Sequence, residues 1–481
     1  MNGTLDLARG VIMAGISGTA FDPSLPRFGG YLLFADDRAT VGEIRALTDA
    51  LRRRDDDLPP VIAIDQEGGS VARLRRDVEP IPPMMALGAA DDIVLAERAG
   101  EQTAFDLRRA GCTLDFAPVL DLALESENSV IGTRSFGSDP QRVAAMGEAF
   151  ARGLRRADVL PCYKHFPGHG ATTLDSHQTL PLIETDERTL RARDLVPFVA
   201  VAPGAAAMMS AHVRVPALDP DRPATLSRRI ASDLLRAELG FRGAFVTDCL
   251  EMNAVAADGS VESAVAALAS GADLLVFSHD PALAVASADA IATAVNERRI
   301  PRERLEEAHA RVVNLRKAGP LPLPLEAFPP HPGVGREIGR RAVTLLRGVP
   351  HADPLSSIAV CFGAQAPMLA REAPALEELR VSLDPPAPET QAILTQLAQS
   401  ERRPLVLAQR PHRHRAQAEA IARVLEGYPD TLLVSVFEPF GVPLFINARH
   451  LLAIYGDDVS SIGGLADVIF GSAMPTGRLP I

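Results

Sequence analysis

Residues 160–181 read LPCYKHFPGHGATTLDSHQTLP. The first seven, LPCYKHF, form a short apolar run that gains polar groups, Lys164 and His165, only near its far end. A run of that kind reads as a strand buried on both faces whose C-terminal tip meets water. The same design recurs in YLLFA (31–35), VIAID (61–65), LDFAPV (114–119), AAMMSAHV (206–213), GAFVTD (243–248) and ADLLVFS (272–278). Asp65, Asp121, His212, Asp248 and His279 stand at or just beyond the ends of these runs. Between them lie segments such as TVGEIRALTDALRRR (40–54) and QRVAAMGEAFARGLRRA (141–157), with apolar residues at helical spacing. Apolar strands alternating with amphipathic helices predict parallel strands covered by helices. The expected α/β architecture is an N-terminal (β/α)8 TIM-type barrel, with an eighth strand near VIMAG (11–15). An open doubly wound sheet is the alternative. The polar strand ends favour the barrel, whose active sites sit on that face. At any single position, a strand end meeting solvent explains a polar residue equally well.

The sharpest change in composition is GPLPLPLEAFPPHPGVG (319–335). Its prolines fit neither a helix interior nor a central strand. It is read as a linker between a catalytic barrel, residues 1–318, and a smaller α/β sandwich domain, residues 336–481. In the latter, SIAVCFGA, PLVLAQ, TLLVSVF, HLLAIYG and ADVIFG read as strands, and PETQAILTQLAQS and RAQAEAIARVLEGY as helices. A mostly parallel sheet with helices on both sides follows.

A net charge of −12 speaks against a nucleic-acid partner, which needs a basic face. The four cysteines, Cys112, Cys162, Cys249 and Cys361, are scattered without zinc spacing and read as buried small hydrophobes. No basic stretch followed by a long apolar core opens the sequence, and no apolar run is long enough to span a bilayer. A cytoplasmic protein with no membrane partner is expected. The oligomeric state is left open, a monomer being one option.

Three chemistries compete for the opening stretch. His165, His169, His177 and Asp175 are residue types that zinc accepts, and His212 is a further candidate on a metal-hydrolase reading. Pro167 and Gly168 separate the first two histidines, so these do not share a helix face as in HExxH. In the second reading, Asp175 and His177 form an acid/base pair. Residues i and i+2 of an extended loop point the same way, so the carboxylate orients the imidazole. The third is a hydrogen-bonded polar loop. Elsewhere, Asp248 at a strand end is a candidate carboxylate nucleophile. IDQEGGSVARL (64–74) places Asp65 and Glu67 at another strand end, and Arg73 and Arg134 can fork hydrogen bonds to sugar hydroxyls or an amide. HRHR (412–415) and GVGREIG (333–339) receive no functional assignment.

Taken together, KHFPGHG, DSH, IDQEGGSVARL, LDFAPVLDL, SVIGTRSFGSDP, MMSAHVRVPALDPDRPATLS, GFRGAFVTDCLEMNAV and ADVIFGSAMPTGRLPI resemble glycoside hydrolase family 3, in its β-N-acetylglucosaminidase branch and two-domain form. The resemblance covers nearly the whole chain, and the histidine motif is its most specific part. It implies Asp248 as nucleophile, His177 as acid/base and Asp175 as its partner. It implies Asp65, Arg73, Arg134, Lys164 and His165 as contacts to N-acetylglucosamine, with no metal and no cofactor. The implied activity is retaining, exo-acting hydrolysis of terminal N-acetylglucosamine from peptidoglycan- or chitin-derived saccharides. β-Glucoside hydrolysis and phosphorolysis are the alternatives within the family. Cys249 stands where many relatives have a second aspartate, and Ala171 where an aspartate often follows GHG. Neither is a catalytic position, but they leave the leaving-group preference open.

Overall fold

The computed structural model describes residues 2–35, 38–54, 58–172, 180–255, 259–363 and 369–481. Eight parallel strands form the first sheet: β1 (Ile12–Ser17), β2 (Gly30–Phe34), β3 (Val61–Ile64), β4 (Leu114–Asp115), β5 (Leu160–Phe166), β6 (Ala207–Ser210), β7 (Ala244–Val246) and β8 (Leu275–Phe277). Their spatial order is β8-β1-β2-β3-β4-β5-β6-β7. A bridge between Val246 and Leu274, with the hydrogen bond from Thr247 N to Leu274 O at 2.9 Å, brings β7 to β8 and closes the ring. The expected eighth strand is β1, whose register pairs Ile12 with Leu275 and Met13 with Gly30.

Alternation along each strand divides the core. Met13, Leu32, Ala63, Cys162, Ala207, Met209, Val246 and Val276 point inward and fill the barrel. Ile12, Leu33, Ile62, Tyr163, Phe245 and Leu275 point outward and pack under the helices. Both faces are apolar, which is why the strands read as continuous hydrophobic runs. The helix Val41–Arg52 starts in a capping box: Thr40 N donates to Glu43 Oε2 at 2.8 Å, and Glu43 N to Thr40 Oγ1 at 3.2 Å. The helices Ile93–Ala110 and Pro140–Arg156 lie close together through glycine. A Cβ on Gly100 would lie 2.0 Å from Phe150 O, and one on Gly153 2.0 Å from Glu97 O.

A second sheet has six strands: β9 (Thr344–Arg347), β10 (Ser357–Phe362), β11 (Glu377–Val381), β12 (Arg403–Gln409), β13 (Leu432–Val436) and β14 (His450–Ile454). The order is β9-β14-β13-β12-β10-β11, parallel except for β9 against β14. Ala359 and Cys361 face the helix Val459–Ile469, whereas Ile358, Val360 and Phe362 face the helices Ala387–Gln399 and Arg415–Gly427. Three sequence expectations need correction. ADVIFG is not a strand; it ends the helix Val459–Ile469, capped by Asp458, whose carboxylate accepts from Ser460 N and Ser461 N. That helix is buried almost all round, and a short apolar run there has no period that separates helix from strand. β9 and β11 were not anticipated. Both are edge strands, part-exposed and carrying charges, so they lack the apolar run on which the other strands were read.

Residues 319–333 hold neither helix nor strand and run against the barrel helices. Arg45, Arg108 and Arg109 donate to the carbonyls of Leu323, Leu321 and Leu325. Beyond them, the helix Val334–Ala342 packs between the helix Val459–Ile469 and the barrel-side helix Met84–Ala90.

Candidate active site

A cavity of about 560 Å³ opens at the C-terminal ends of the barrel strands. Asp65, Arg73, Arg134, Lys164, His165 and Asp248, the described residues that the family resemblance implies for the site, all line it. Asp175 and His177, the proposed acid/base pair, lie outside the described residues.

Two buried carboxylates organise the floor. Glu67 sits in the short hairpin that follows β3. Its Oε1 accepts from Lys164 Nζ at 2.6 Å and Arg134 Nη2 at 2.7 Å, and its Oε2 from Arg134 Nε at 2.8 Å. Lys164 Nζ also donates to Asp65 Oδ1 at 2.7 Å. Burial pushes the Glu67 carboxyl up, but Arg134 and Lys164 outweigh it and hold it at about 2. Burial works against the charge of Lys164 too, and Asp65 and Glu67 more than compensate, so its pKa is raised. Glu67 and Lys164 therefore stay ionised although both are almost sealed from solvent.

The second hub is Asp121. Its Oδ2 lies 2.6 Å from His165 Nδ1, and its Oδ1 accepts from His169 N at 2.7 Å. A carboxylate at Nδ1 orients the His165 ring and leaves its Nε2 edge for a hydrogen bond to a ligand. The Lys164–His165 and Phe166–Pro167 peptides are cis. His169 is tied to the loop by its backbone N–H, and its ring lines the cavity wall with no hydrogen-bond partner on either nitrogen among the described residues. Burial lowers its pKa to about 4, so the ring is neutral.

Asp248 follows β7 and is partly exposed to the cavity. Its Oδ1 accepts from Cys249 N at 2.8 Å. Burial raises its pKa, but His212, His165, the Cys249 N–H and Lys164 outweigh this, so the carboxyl sits below its ordinary range. Asp248 is thus an ionised carboxylate whose oxygens face no Lys or Arg in an ion pair among the described residues. His212 stands behind it, with Nδ1 2.7 Å from Thr225 Oγ1 and Nε2 2.8 Å from the Cys249 carbonyl. Both His212 nitrogens are therefore occupied, which removes it from the metal-ligand reading. Among the described residues, no three His, Cys, Asp or Glu side chains are grouped to hold a metal ion.

Sequence reasoning missed the supports. Glu251 accepts from the backbone N–H groups of Ser278, His279 and Asp280 and pins the loop after β8. Cys249 donates to Glu251 at 3.3 Å, and burial pushes its thiol up to about 12, so it is a neutral wall group. At the rim, the Arg73 guanidinium stands 5.2 Å over the Phe34 ring, and Phe34 lies 5.1 Å from the His279 ring. Glu67 was noted beside Asp65, but nothing in the spacing marked it as the common partner of Lys164 and Arg134. Those residues lie 97 and 67 positions away, and only the barrel unites them.

A barrel with an ionised carboxylate and clustered hydrogen-bond donors at its mouth can hold a sugar and attack its anomeric carbon. Residues 24–315 match the model of the glycosyl hydrolase family 3 N-terminal domain. The chain belongs to glycosyl hydrolase family 3 and is a glycoside hydrolase. A β-hexosaminidase from Chromobacterium violaceum is 40% identical over 306 residues, covering 60% of this chain and 84% of that protein. The structure of a family 3 β-N-acetylglucosaminidase from Paenibacillus sp. strain FPU-7 superposes with a TM-score of 0.90 at 31% identity, covering 98% of both chains. NagZ from Neisseria gonorrhoeae, solved in complex with N-trifluoroacetyl-D-glucosamine, is 30% identical with a TM-score of 0.54, covering 64% of this chain and 98% of that one. Among the described residues, no helix is long and apolar enough to cross a membrane.

Proposed function

We propose that this enzyme is a retaining exo-β-N-acetylglucosaminidase. The observation that carries the reading is Asp248, an ionised carboxylate exposed to a cavity in which Lys164, Arg134 and His165 are held by carboxylate partners, while Asp248 is in no ion pair among the described residues. The names of its relatives support the sugar: a β-hexosaminidase, a β-N-acetylglucosaminidase and a NagZ complexed with an N-acylglucosamine.

In this reading Asp65, Arg73, Arg134, Lys164 and His165 hold the terminal N-acetylglucosamine. An Asp248 oxygen attacks the anomeric carbon as the bond to the leaving oxygen breaks, and His177, oriented by Asp175, gives that oxygen its proton. His177 then takes a proton from water, which displaces Asp248 and releases the sugar with retained configuration. After donating its proton, histidine is neutral where a carboxylic acid would be an anion. That suits a leaving group that carries a carboxylate, so fragments of peptidoglycan are the favoured natural substrates and chitin oligosaccharides the next. A role in peptidoglycan recycling in the cytoplasm fits such a substrate. Residues 1–318 act as the catalytic unit, 319–335 as the connection and 336–481 as the second domain.

Two measurements test this. Hydrolysis of 4-nitrophenyl N-acetyl-β-glucosaminide should exceed that of the β-glucoside by at least about tenfold, and the reverse preference overturns the sugar assignment. A mechanism-based fluorosugar should label the peptide containing Asp248. Turnover without a label on that peptide points instead to catalysis assisted by the substrate's acetamide.

A further inference from the structure

Among the described residues, no side chain of the second domain lines the cavity. The domain nevertheless grips the loop that carries two of its walls. We propose that Arg413 and Glu438 of the second domain are positioning residues: they clamp barrel residues 126–134 and so fix Arg134 and the KHFPGHG loop for sugar binding. The proposal rests on the reading of Arg134 as a sugar contact.

The grip has two points. Arg413, in the turn that follows β12, donates from Nη2 to Ser126 O at 2.7 Å and to Asn128 O at 3.1 Å, and from Nε to Ser126 O at 3.1 Å. Glu438, buried beyond the end of β13, accepts from Arg410 Nε at 2.6 Å, and its Oε1 lies against Gly132. Gly132 has φ +43°, and a Cβ there would fall 2.1 Å from that oxygen. The carboxylate thus occupies the space where any other residue at 132 would place its side chain.

What is gripped leads directly to the cavity. Asn128 donates from Nδ2 to His169 O at 2.9 Å, and its Oδ1 accepts from Val130 N and Ile131 N at 3.0 and 2.9 Å. Arg134 donates from Nη1 to Val130 O at 2.8 Å before turning to Glu67, which holds Lys164. A continuous series of hydrogen bonds therefore runs from Arg413 to the ammonium of Lys164. The loop itself is neither helix nor strand between Leu120 and Ile131, so its own backbone ladder does not hold it. A guanidinium fork on two carbonyls is suited to fix such a segment, because both bonds share one rigid plane.

The test compares Arg413→Ala, Arg413→Lys and Arg134→Ala with Arg415→Ala, whose only described side-chain partner is the exposed Glu419. Backbone hydrogen exchange over residues 126–134 is read without substrate. KM and kcat are read on 4-nitrophenyl N-acetyl-β-glucosaminide, and melting temperature guards against general destabilisation. The expected result for Arg413→Ala is faster exchange confined to 126–134 and a KM raised about five- to twentyfold, with kcat changed less. Arg413→Lys should recover part of the KM, and Arg415→Ala should match the parent. Unchanged exchange in Arg413→Ala overturns the clamp, as does faster exchange with KM within twofold of the parent. A lower melting temperature with unchanged KM reduces Arg413 to a structural contact and also overturns it. Should Arg413→Ala not fold, Arg413→Lys decides, since it loses the planar fork and the Nε bond to Ser126 O: unchanged exchange over 126–134 or an unchanged KM then overturns the clamp. Should Arg134→Ala keep its KM, the site reading fails, while exchange in Arg413→Ala still reports on the clamp.

Discussion

The barrel and the second domain are both parallel sheets covered by helices, and both carry polar residues beyond the C-terminal ends of their strands. They use those residues oppositely. At the barrel mouth, Asp65, Lys164, Arg134, His165 and Asp248 line an open cavity with Glu67 and Asp121 buried behind them, and several are kept charged while buried. At the matching edge of the second sheet, the polar groups close on one another and on the barrel. Arg410 bonds Glu438 and covers the Phe437 ring at 4.0 Å, Gln417 bonds Gln409 N and O, and Arg413 bonds the barrel loop. In that sheet the strand order reverses between β10 and β12, the place where open α/β sheets usually hold ligands. Topology therefore offers a site in both regions. What separates them is that the partnered polar groups of the barrel still face a cavity, with Asp248 in no ion pair among the described residues, whereas those named in the second sheet close on one another and on the barrel loop.

The most severe way to break this contrast is at Asp248. Asp248→Ala should lower kcat/KM by at least about 10³-fold without a comparable loss of stability, as measured by turnover beside thermal unfolding. Retention of a tenth of the activity would remove Asp248 from the mechanism.

Next comes the buried charge hub. Glu67→Ala leaves Lys164 and Arg134 without their shared partner and should destabilise the fold by about 3–5 kcal/mol, read by chemical denaturation. The pH dependence has a definite sign. Because the folded-state pKa of Glu67 is depressed from 4.5 to about 2, its contribution is complete above about 4.5 and is lost as pH falls toward 2. The isosteric Glu67→Gln should therefore show a flatter loss of stability across that acid range than the parent.

Asp115 sharpens the comparison in the other direction. It lies sealed in the barrel at the end of β4, accepts from Gln66 N at 3.0 Å, and among the described residues has no partner for Oδ2. Burial pushes its pKa well above 3.8, with Asp65 and Glu67 adding to the effect against Gln66 N and Lys164. A raised carboxyl contributes stability below its unfolded pKa and loses it as pH rises through the folded one. Asp115→Asn, which resembles the protonated acid, should gain stability relative to the parent as pH increases from about 4. A constant difference across that range would show that Asp115 is ionised in the fold.

The smallest effect is expected at His414, whose Nδ1 lies 2.5 Å from the exposed Asp384. His414→Ala should change stability by no more than about 1 kcal/mol and leave kcat/KM within twofold. A larger effect on activity would mean that the HRHR turn reaches the cavity through more than Arg413.

The sequence by itself showed seven apolar strands alternating with helices and the polar tips that favoured a barrel over an open sheet; the eighth strand, expected near VIMAG, and the closing bridge came from the structure. Strands buried on both faces must be apolar throughout, and their polar tips then stand out in a linear reading. It also supplied Asp248, Asp65, Arg73, Arg134, Lys164 and His165, which the fold gathers around one cavity. The edge strands β9 and β11 were not legible because a solvated edge carries charges like a loop, and the helix Val459–Ile469 was misread in part because burial all round erases its period. Only the tertiary structure decided which carboxylates share which cations. Glu67 joins Lys164 to Arg134, Asp121 joins His165 to His169, and Arg413 reaches Ser126 across 287 residues. Such partnerships act over a few ångströms between segments far apart in the chain, and residue order carries no record of that distance until the barrel closes.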